Sequence, residues 1–181
     1  MPPRIKITTK KGDQGESSLF SGERVRKDSP RLDAIGDLDE LVSVLGIARH
    51  HVKNDKTKDA ILWLQRSLFT VGSELATTRE KLKKLSKRVD QGWVEKIEQR
   101  MESLCLEITT PKGFVVPGGC FSGAHLDHAR AIARRCERKA AGLLKEKEID
   151  NAFVLVWLNR LSDYLYLMAR REEDKPIYVQ E

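Results

Sequence analysis

Three stretches of the chain concentrate side chains able to hold an anion. The first runs Thr8-Thr9-Lys10-Lys11-Gly12-Asp13-Gln14-Gly15-Glu16-Ser17-Ser18 and continues through Ser21-Gly22 to Lys27. Hydroxyls donate hydrogen bonds, lysines neutralise charge, and glycines let backbone N–H groups approach an oxyanion closely, so these are ingredients of a phosphate cradle. Neither G-x-x-x-x-G-K-[ST] nor G-x-G-x-x-G is present, and a polar flexible tail is the competing reading. The second stretch follows Phe114-Val115-Val116-Pro117-Gly118-Gly119 and carries Arg130, Arg134, Arg135, Glu137, Arg138 and Lys139. Arg130, Arg134 and Arg138 stand four apart, which on a helix lines three guanidinium groups along one stripe. Their repulsion must be offset by an anion, such as a triphosphate, or by carboxylates. A solvated basic face with Glu137 as local partner fits the same pattern. The third is Asn159-Arg160-Leu161-Ser162-Asp163, where Asn159 and Asp163 lie one turn apart. They suit either a nucleotide or an interhelical hydrogen-bond network.

Other reactive side chains carry less. His50-His51 and His125/His128 come without the Glu-x-x-His motifs of a di-metal bundle, so metal ligands stay unassigned. Cys120 and Cys136 read as packing residues, since no base is fixed beside either. Trp63, Trp93 and Trp157 fall on or near apolar stripes and are expected in the core.

The elements that position these groups are helices. From Leu32 onward apolar residues recur at steps of three and four. The first helix is expected to start at Ser29-Pro30, a polar N-cap with proline in the first turn, and to end near Val52. A second spans about Lys56 to Thr77 on Ile61, Leu64, Leu68, Val71 and Leu75. Arg79 to Arg88 reads as a solvated connector. Asp90 caps a third helix, carrying Val94, Ile97, Met101, Leu104 and Ile108, which Thr109-Thr110-Pro111 stops. After a long loop, Ser122 or a neighbour opens a fourth helix through Leu144, and Asp150 caps a fifth with Phe153, Trp157, Leu161, Leu165 and Met168. The tail after Arg171 is expected to be loosely held. No useful length alternates with period two apart from Phe114-Val115-Val116, so no sheet is expected and the fold class is an all-α bundle.

Length and composition agree. The 181 residues suit one domain spanning 1–181, with an N-terminal loop at 1–29, a helical bundle at 30–171 and a tail at 172–181. A hydrophobic fraction of 40% excludes wholesale disorder. No apolar run approaches the roughly 20 residues that span a bilayer, and Met1-Pro2-Pro3-Arg4-Ile5-Lys6 lacks a signal peptide's apolar stretch, so neither export nor a membrane partner is expected. Three cysteines without a C-x-x-C pair suit a reducing cytoplasm. A net charge of +6 favours an anionic partner without choosing between nucleic acid and a phosphorylated metabolite.

Taken together, three segments resemble the PduO-type ATP:cob(I)alamin adenosyltransferases across nearly the whole chain. They are Thr9 to Lys27 with Ala34-Ile35-Gly36-Asp37-Leu38-Asp39-Glu40-Leu41, then Phe114 to Arg138, then Asn159 to Arg171. The resemblance implies a five-helix bundle of ferritin-like up-and-down topology that assembles as a homotrimer, with ATP sites between adjacent subunits. It implies nucleotide binding by Thr9, Lys10, Lys11, Gly12, Ser17, Ser18, Lys27, Arg134, Arg135, Glu137, Arg138 and Asn159, with Arg134 facing the phosphates. It matches Asp39 and Arg130 to a salt-bridged pair across the subunit boundary, and Phe114 to the aromatic residue that excludes the lower axial base from cobalt.

The implied reaction moves the 5′-deoxyadenosyl group of ATP onto cob(I)alamin, with Mg²⁺ as cofactor. The implied partners are ATP, a corrinoid, a corrinoid reductase and an adenosylcobalamin-dependent enzyme, and not nucleic acid. Three positions depart from the family pattern: Lys11 stands where Thr is common, Val42 for Asn, and Asp127 for His. The alternatives are a basic helical nucleic-acid-binding module and a non-catalytic corrinoid chaperone.

Overall fold

The computed structural model of the chain describes residues 8–180, so the opening residues 1–7 of the expected nucleotide loop lie outside it. A short hairpin, β1 (Glu16–Ser18) and β2 (Arg24–Arg26), precedes five α-helices. These are α1 (Pro30–His51), α2 (Asp55–Leu75), α3 (Gln91–Cys105), α4 (Phe121–Lys145) and α5 (Ala152–Glu172), with a 3₁₀ helix at Arg79–Lys84 between α2 and α3.

Each α-helix opens on a side chain that accepts one of its orphan N–H groups. Ser29 Oγ accepts from the Leu32 N–H at 3.4 Å, with Pro30 at the first helical position. Asn54 Oδ1 accepts from Thr57 at 3.2 Å and Asp90 Oδ1 from Trp93 at 3.1 Å. α4 is capped by Cys120, whose Sγ accepts from the Gly123 N–H at 3.2 Å. α5 is capped by Asn151, not by Asp150 as the sequence suggested. The reason is chemical. Asp150 is engaged by Arg88 at 2.8 Å, while an amide can accept and donate at once. Asn151 Oδ1 accepts from Phe153 at 3.0 Å, and its Nδ2 donates to Glu74 Oε1 at 2.8 Å and to the Val89 carbonyl at 2.7 Å.

α4 is central to the packing, lying against both α1 and α5; α3 packs on α5 and α2 on α1. The expected stripes form the core: Leu38, Leu41 and Leu45 meet Ile61, Leu64, Leu68, Ile97, Ile132, Leu161 and Leu165. Trp157 is fully buried, while Trp63 and Trp93 are only partly so.

Four expectations need correction. A sheet exists: Glu16, Ser17 and Ser18 pair antiparallel with Arg26, Val25 and Arg24. Strands of three residues are too short for alternation to show. The connector after α2 is partly a 3₁₀ helix, held by the buried Leu82 and by Lys81, whose Nζ donates to the Ser21 carbonyl at 3.1 Å. α3 ends at Cys105, before Ile108, and Glu107 beyond it faces Lys56 at 3.1 Å and Arg171. The tail is not loose, because Val115 and Tyr178 form an antiparallel bridge.

Candidate functional site

The glycine-bearing leader has a built shape. Its first turn places Lys10 at φ 59° and Gly15 at φ 81°, and the Gly15 N–H donates to the Gly12 carbonyl at 3.3 Å. The hairpin then ties it back: the Lys27 N–H donates to the Gly15 carbonyl at 2.9 Å. Arg24, which the sequence did not single out, braces the loop by donating to the Lys11 carbonyl at 2.7 Å and to Ser18 Oγ at 3.3 Å. Gly12 is needed for a close approach, since a Cβ there would lie 3.2 Å from Lys27 Nζ and 3.3 Å from the Glu16 carbonyl. Lys27 therefore lies along the turn. Thr9, Lys10, Lys11 and Ser18 are exposed and Ser17 half-buried, so the leader presents cations and hydroxyls to solvent.

The cations of α4 divide into two sets. Arg135 and Lys139 are committed to α1: Arg135 Nε lies 3.0 Å from Asp37 Oδ2 and its Nη2 meets Glu40, while Lys139 Nζ lies 2.8 Å from Asp33 and 2.9 Å from Asp37. The bond to Asp37 raises the Arg135 guanidinium above its ordinary range. Arg134 and Arg138 are exposed and, among the described residues, form no ion pair. Arg130 is half-buried with its Nε 3.4 Å from Asp127 Oδ1. Asp39 is exposed on α1, so within one chain the carboxylate beside Arg130 is Asp127.

Within the chain, Asn159 takes part in an interhelical network. Its Nδ2 donates to Glu137 Oε1 at 3.0 Å, its Oδ1 accepts from Arg160 at 3.0 Å, and Arg160 reaches Glu98 on α3 at 2.7 Å. Asp163 is exposed. Phe114 is 87% exposed on the loop between α3 and α4.

Cysteine nucleophilicity has no support here: burial, reinforced by Asp37, pushes the Cys136 thiol up to about 12, and Cys120 serves as a helix cap. His51, Phe121 and His125 cluster, with His51 and His125 each 4.6 Å from Phe121 between ring centroids. Among the described residues no three His, Cys, Asp or Glu side chains converge on a metal position. No helix there is long and apolar enough to cross a membrane.

The chain has known relatives. The corrinoid adenosyltransferase of Citrobacter freundii is 33% identical over 94% of this chain and 97% of its own length. That of Bacillus subtilis is 37% identical over 92% of this chain and 86% of its own. The corrinoid adenosyltransferase PduO of Salmonella typhimurium is 32% identical over 92% of this chain, which spans 49% of that longer protein. A variant of the PduO-type ATP:corrinoid adenosyltransferase from Lactobacillus reuteri, solved with cobalamin and ATP, superposes with a TM-score of 0.87 at 29% identity, covering 97% of this chain and all of that one. The family model described as cobalamin adenosyltransferase matches residues 7–172, and the chain belongs to that family.

Proposed function

We propose that the protein transfers the 5′-deoxyadenosyl group of ATP to cob(I)alamin, giving adenosylcobalamin and triphosphate. One observation carries the reading beyond family membership. On α4, Arg135 and Lys139 are paired with carboxylates of α1 and Arg130 with Asp127, while Arg134 and Arg138 are exposed and form no ion pair among the described residues. Two like charges one turn apart are destabilising alone and are satisfied by a polyphosphate.

In this reading the Co(I) lone pair attacks the ribose C5′ carbon, a Co–C bond forms, and the C5′–O bond breaks with its electron pair leaving on triphosphate. The protein supplies no nucleophile; it aligns the reactants and stabilises charge on the leaving group. Lys10, Lys11 and Lys27 meet the phosphates from the leader, and Arg134, with Arg138, from α4. Glu137 and Asn159, already bonded to each other, form a polar wall for the nucleoside. Arg135 contributes by fixing α4 to α1. Mg²⁺, if bound with ATP, would add charge neutralisation for the leaving triphosphate, and no side chain of this chain is assigned to hold it. Phe114 shields the lower face of cobalt.

We read the active assembly as a homotrimer of up-and-down bundles, with the leader of one subunit completing the α4 surface of the next. Its support is a shallow apolar groove lined by Ile35, Val42, Phe20 and Phe69 beside Asp39, with Phe20 and Phe69 69% and 68% exposed. Solvent contact over that much aromatic surface suits a subunit boundary. There Asp39 would meet Arg130 of a neighbouring copy. The free thiols agree with a cytoplasmic setting, where a reductase would supply Co(I) and an adenosylcobalamin-dependent enzyme would take the product.

The test is turnover. Purified protein given ATP, Mg²⁺ and chemically reduced cobalamin should convert the Co(I) spectrum to that of adenosylcobalamin with one triphosphate per turnover. Arg134→Ala should lower kcat by about 10²–10³-fold, the loss typical of one transition-state donor. Full activity in that variant would overturn the role of Arg134.

A further inference from the structure

A buried ionic cluster that no step above uses sits where α4, α5 and the tail meet. Arg170 Nη2 donates to Asp127 Oδ2 at 2.5 Å and to Glu173 Oε1 at 3.0 Å, and the three side chains are 2%, 4% and 1% exposed. Arg130 approaches Asp127 from the solvent side at 3.4 Å. The Tyr166 ring lies 4.9 Å from the Arg170 guanidinium. Burying such a group of charges is a poor way to gain stability over apolar packing, and its best-attested use is to fix one arrangement.

What it fixes is the tail after α5. The backbone just before α4 and in its first turn runs close to Glu173: a Cβ on Gly119 would lie 3.0 Å from its Cδ, and one on Gly123 would lie 3.2 Å from its Oε1. Beside it, Cys120 Sγ donates to the Glu172 carbonyl at 3.3 Å, and Glu172 Oε2 accepts from the Lys53 N–H at 2.9 Å. The chain leaves this anchor and returns within a few residues to the loop that carries Phe114. The Val116 N–H donates to the Ile177 carbonyl at 2.7 Å, and the Val179 N–H to the Phe114 carbonyl at 3.0 Å. Between Ile108 and Gly119 these are the backbone–backbone hydrogen bonds found among the described residues. Nor does the core hold the Phe114 ring, given its exposure. The position of Phe114 is therefore set by the tail, and that of the tail by the cluster.

We propose that Asp127, Arg170 and Glu173, acting through the segment Ile177–Val179, form a clamp that positions Phe114 against the corrinoid. They are positioning residues and touch no substrate. Asp127 is the buried acid of α4 that completes the clamp. The assignment rests on Phe114 facing cobalt, as read above.

Two variants test it without altering a group assigned to substrate. Val179→Pro removes the N–H that holds the Phe114 carbonyl and lies on the exposed tail, so the core is untouched. Glu173→Gln removes one charge of the cluster. In ligand-free protein, amide hydrogen exchange across residues 113–119 should accelerate by about ten-fold or more in both. In turnover, KM for cob(I)alamin should rise about ten-fold with KM for ATP unchanged, a split that general destabilisation would not produce. With cob(II)alamin and ATP bound, electron paramagnetic resonance should show the nitrogen splitting of the lower axial base persisting in the variants. Unchanged exchange over 113–119, or KM values for ATP and corrinoid that rise together, would overturn the clamp. A parent protein that makes no adenosylcobalamin would sink the functional reading instead, and the exchange measurement, made without substrate, would still decide whether the clamp exists.

Discussion

Arg134 and Arg135 are neighbours in the chain yet about 100° apart around α4, and that rotation gives them different partners. Arg135 finds Asp37 and Glu40 on α1, while Arg134 points to water. The four-residue spacing of Arg130, Arg134 and Arg138 was legible in the sequence because helical geometry alone creates the stripe. Which cations α1 would neutralise was not, since that depends on how two helices dock. Cys136 illustrates the same dependence. Burial, and then the nearby Asp37, pushes its thiol up to about 12. Iodoacetamide at about pH 8 is therefore expected to modify the exposed Cys105 and leave Cys136 intact in folded protein. Tryptic mass spectrometry checks this, and equal labelling of both would mean that the buried face of α4 opens readily.

At the scale of elements, an ion pair joins the turn of the hairpin to the 3₁₀ helix. Glu23 meets Lys81 of the 3₁₀ helix at 2.5 Å and also Ser21, whose Oγ lies 3.2 Å from the Thr78 N–H. Hydrogen bonds from Lys81 and then Ser21 hold the Glu23 carboxyl down at about 2, against an ordinary 4.5. Since the folded value lies below the unfolded one, this anchor is fully present above the ordinary value and is lost as pH falls from there through about 2. The Leu19 amide, which donates to the Glu23 carbonyl at 2.8 Å, should accordingly stay protected from exchange at about pH 4 and lose protection only near 2. Loss already at the upper value would remove Glu23 as the anchor. The five helices could be read because each repeats its pattern over fifteen residues or more and begins on a capping side chain. The hairpin could not, as its only buried apolar residue is Leu19 beside charges that pair across three residues. The cap of α5 was misplaced by one residue for a related reason: Asp150 has the right chemistry but spends it on Arg88.

For the whole molecule, α4 has two duties. Its inner face, with Ala129, Ala133 and Ala140 fully buried, lets α1 and α5 approach closely, while its outer face carries the guanidinium groups. Ala133→Leu should thus destabilise the protein by about 1–3 kcal/mol through overpacking, without direct contact with ATP. Thermal unfolding beside ATP titration separates the two effects, and a variant as stable as the parent would show slack at that junction. The Asp127–Arg170–Glu173 group was hidden from the sequence because its members are 43 and 3 residues apart and no periodicity marks them. Its geometry has a practical corollary. Because the stretch around Val179 lies alongside the segment bearing Phe114, an affinity tag or fusion partner appended after it would sit against that loop, so preparations meant for kinetics are better compared with the tag cleaved.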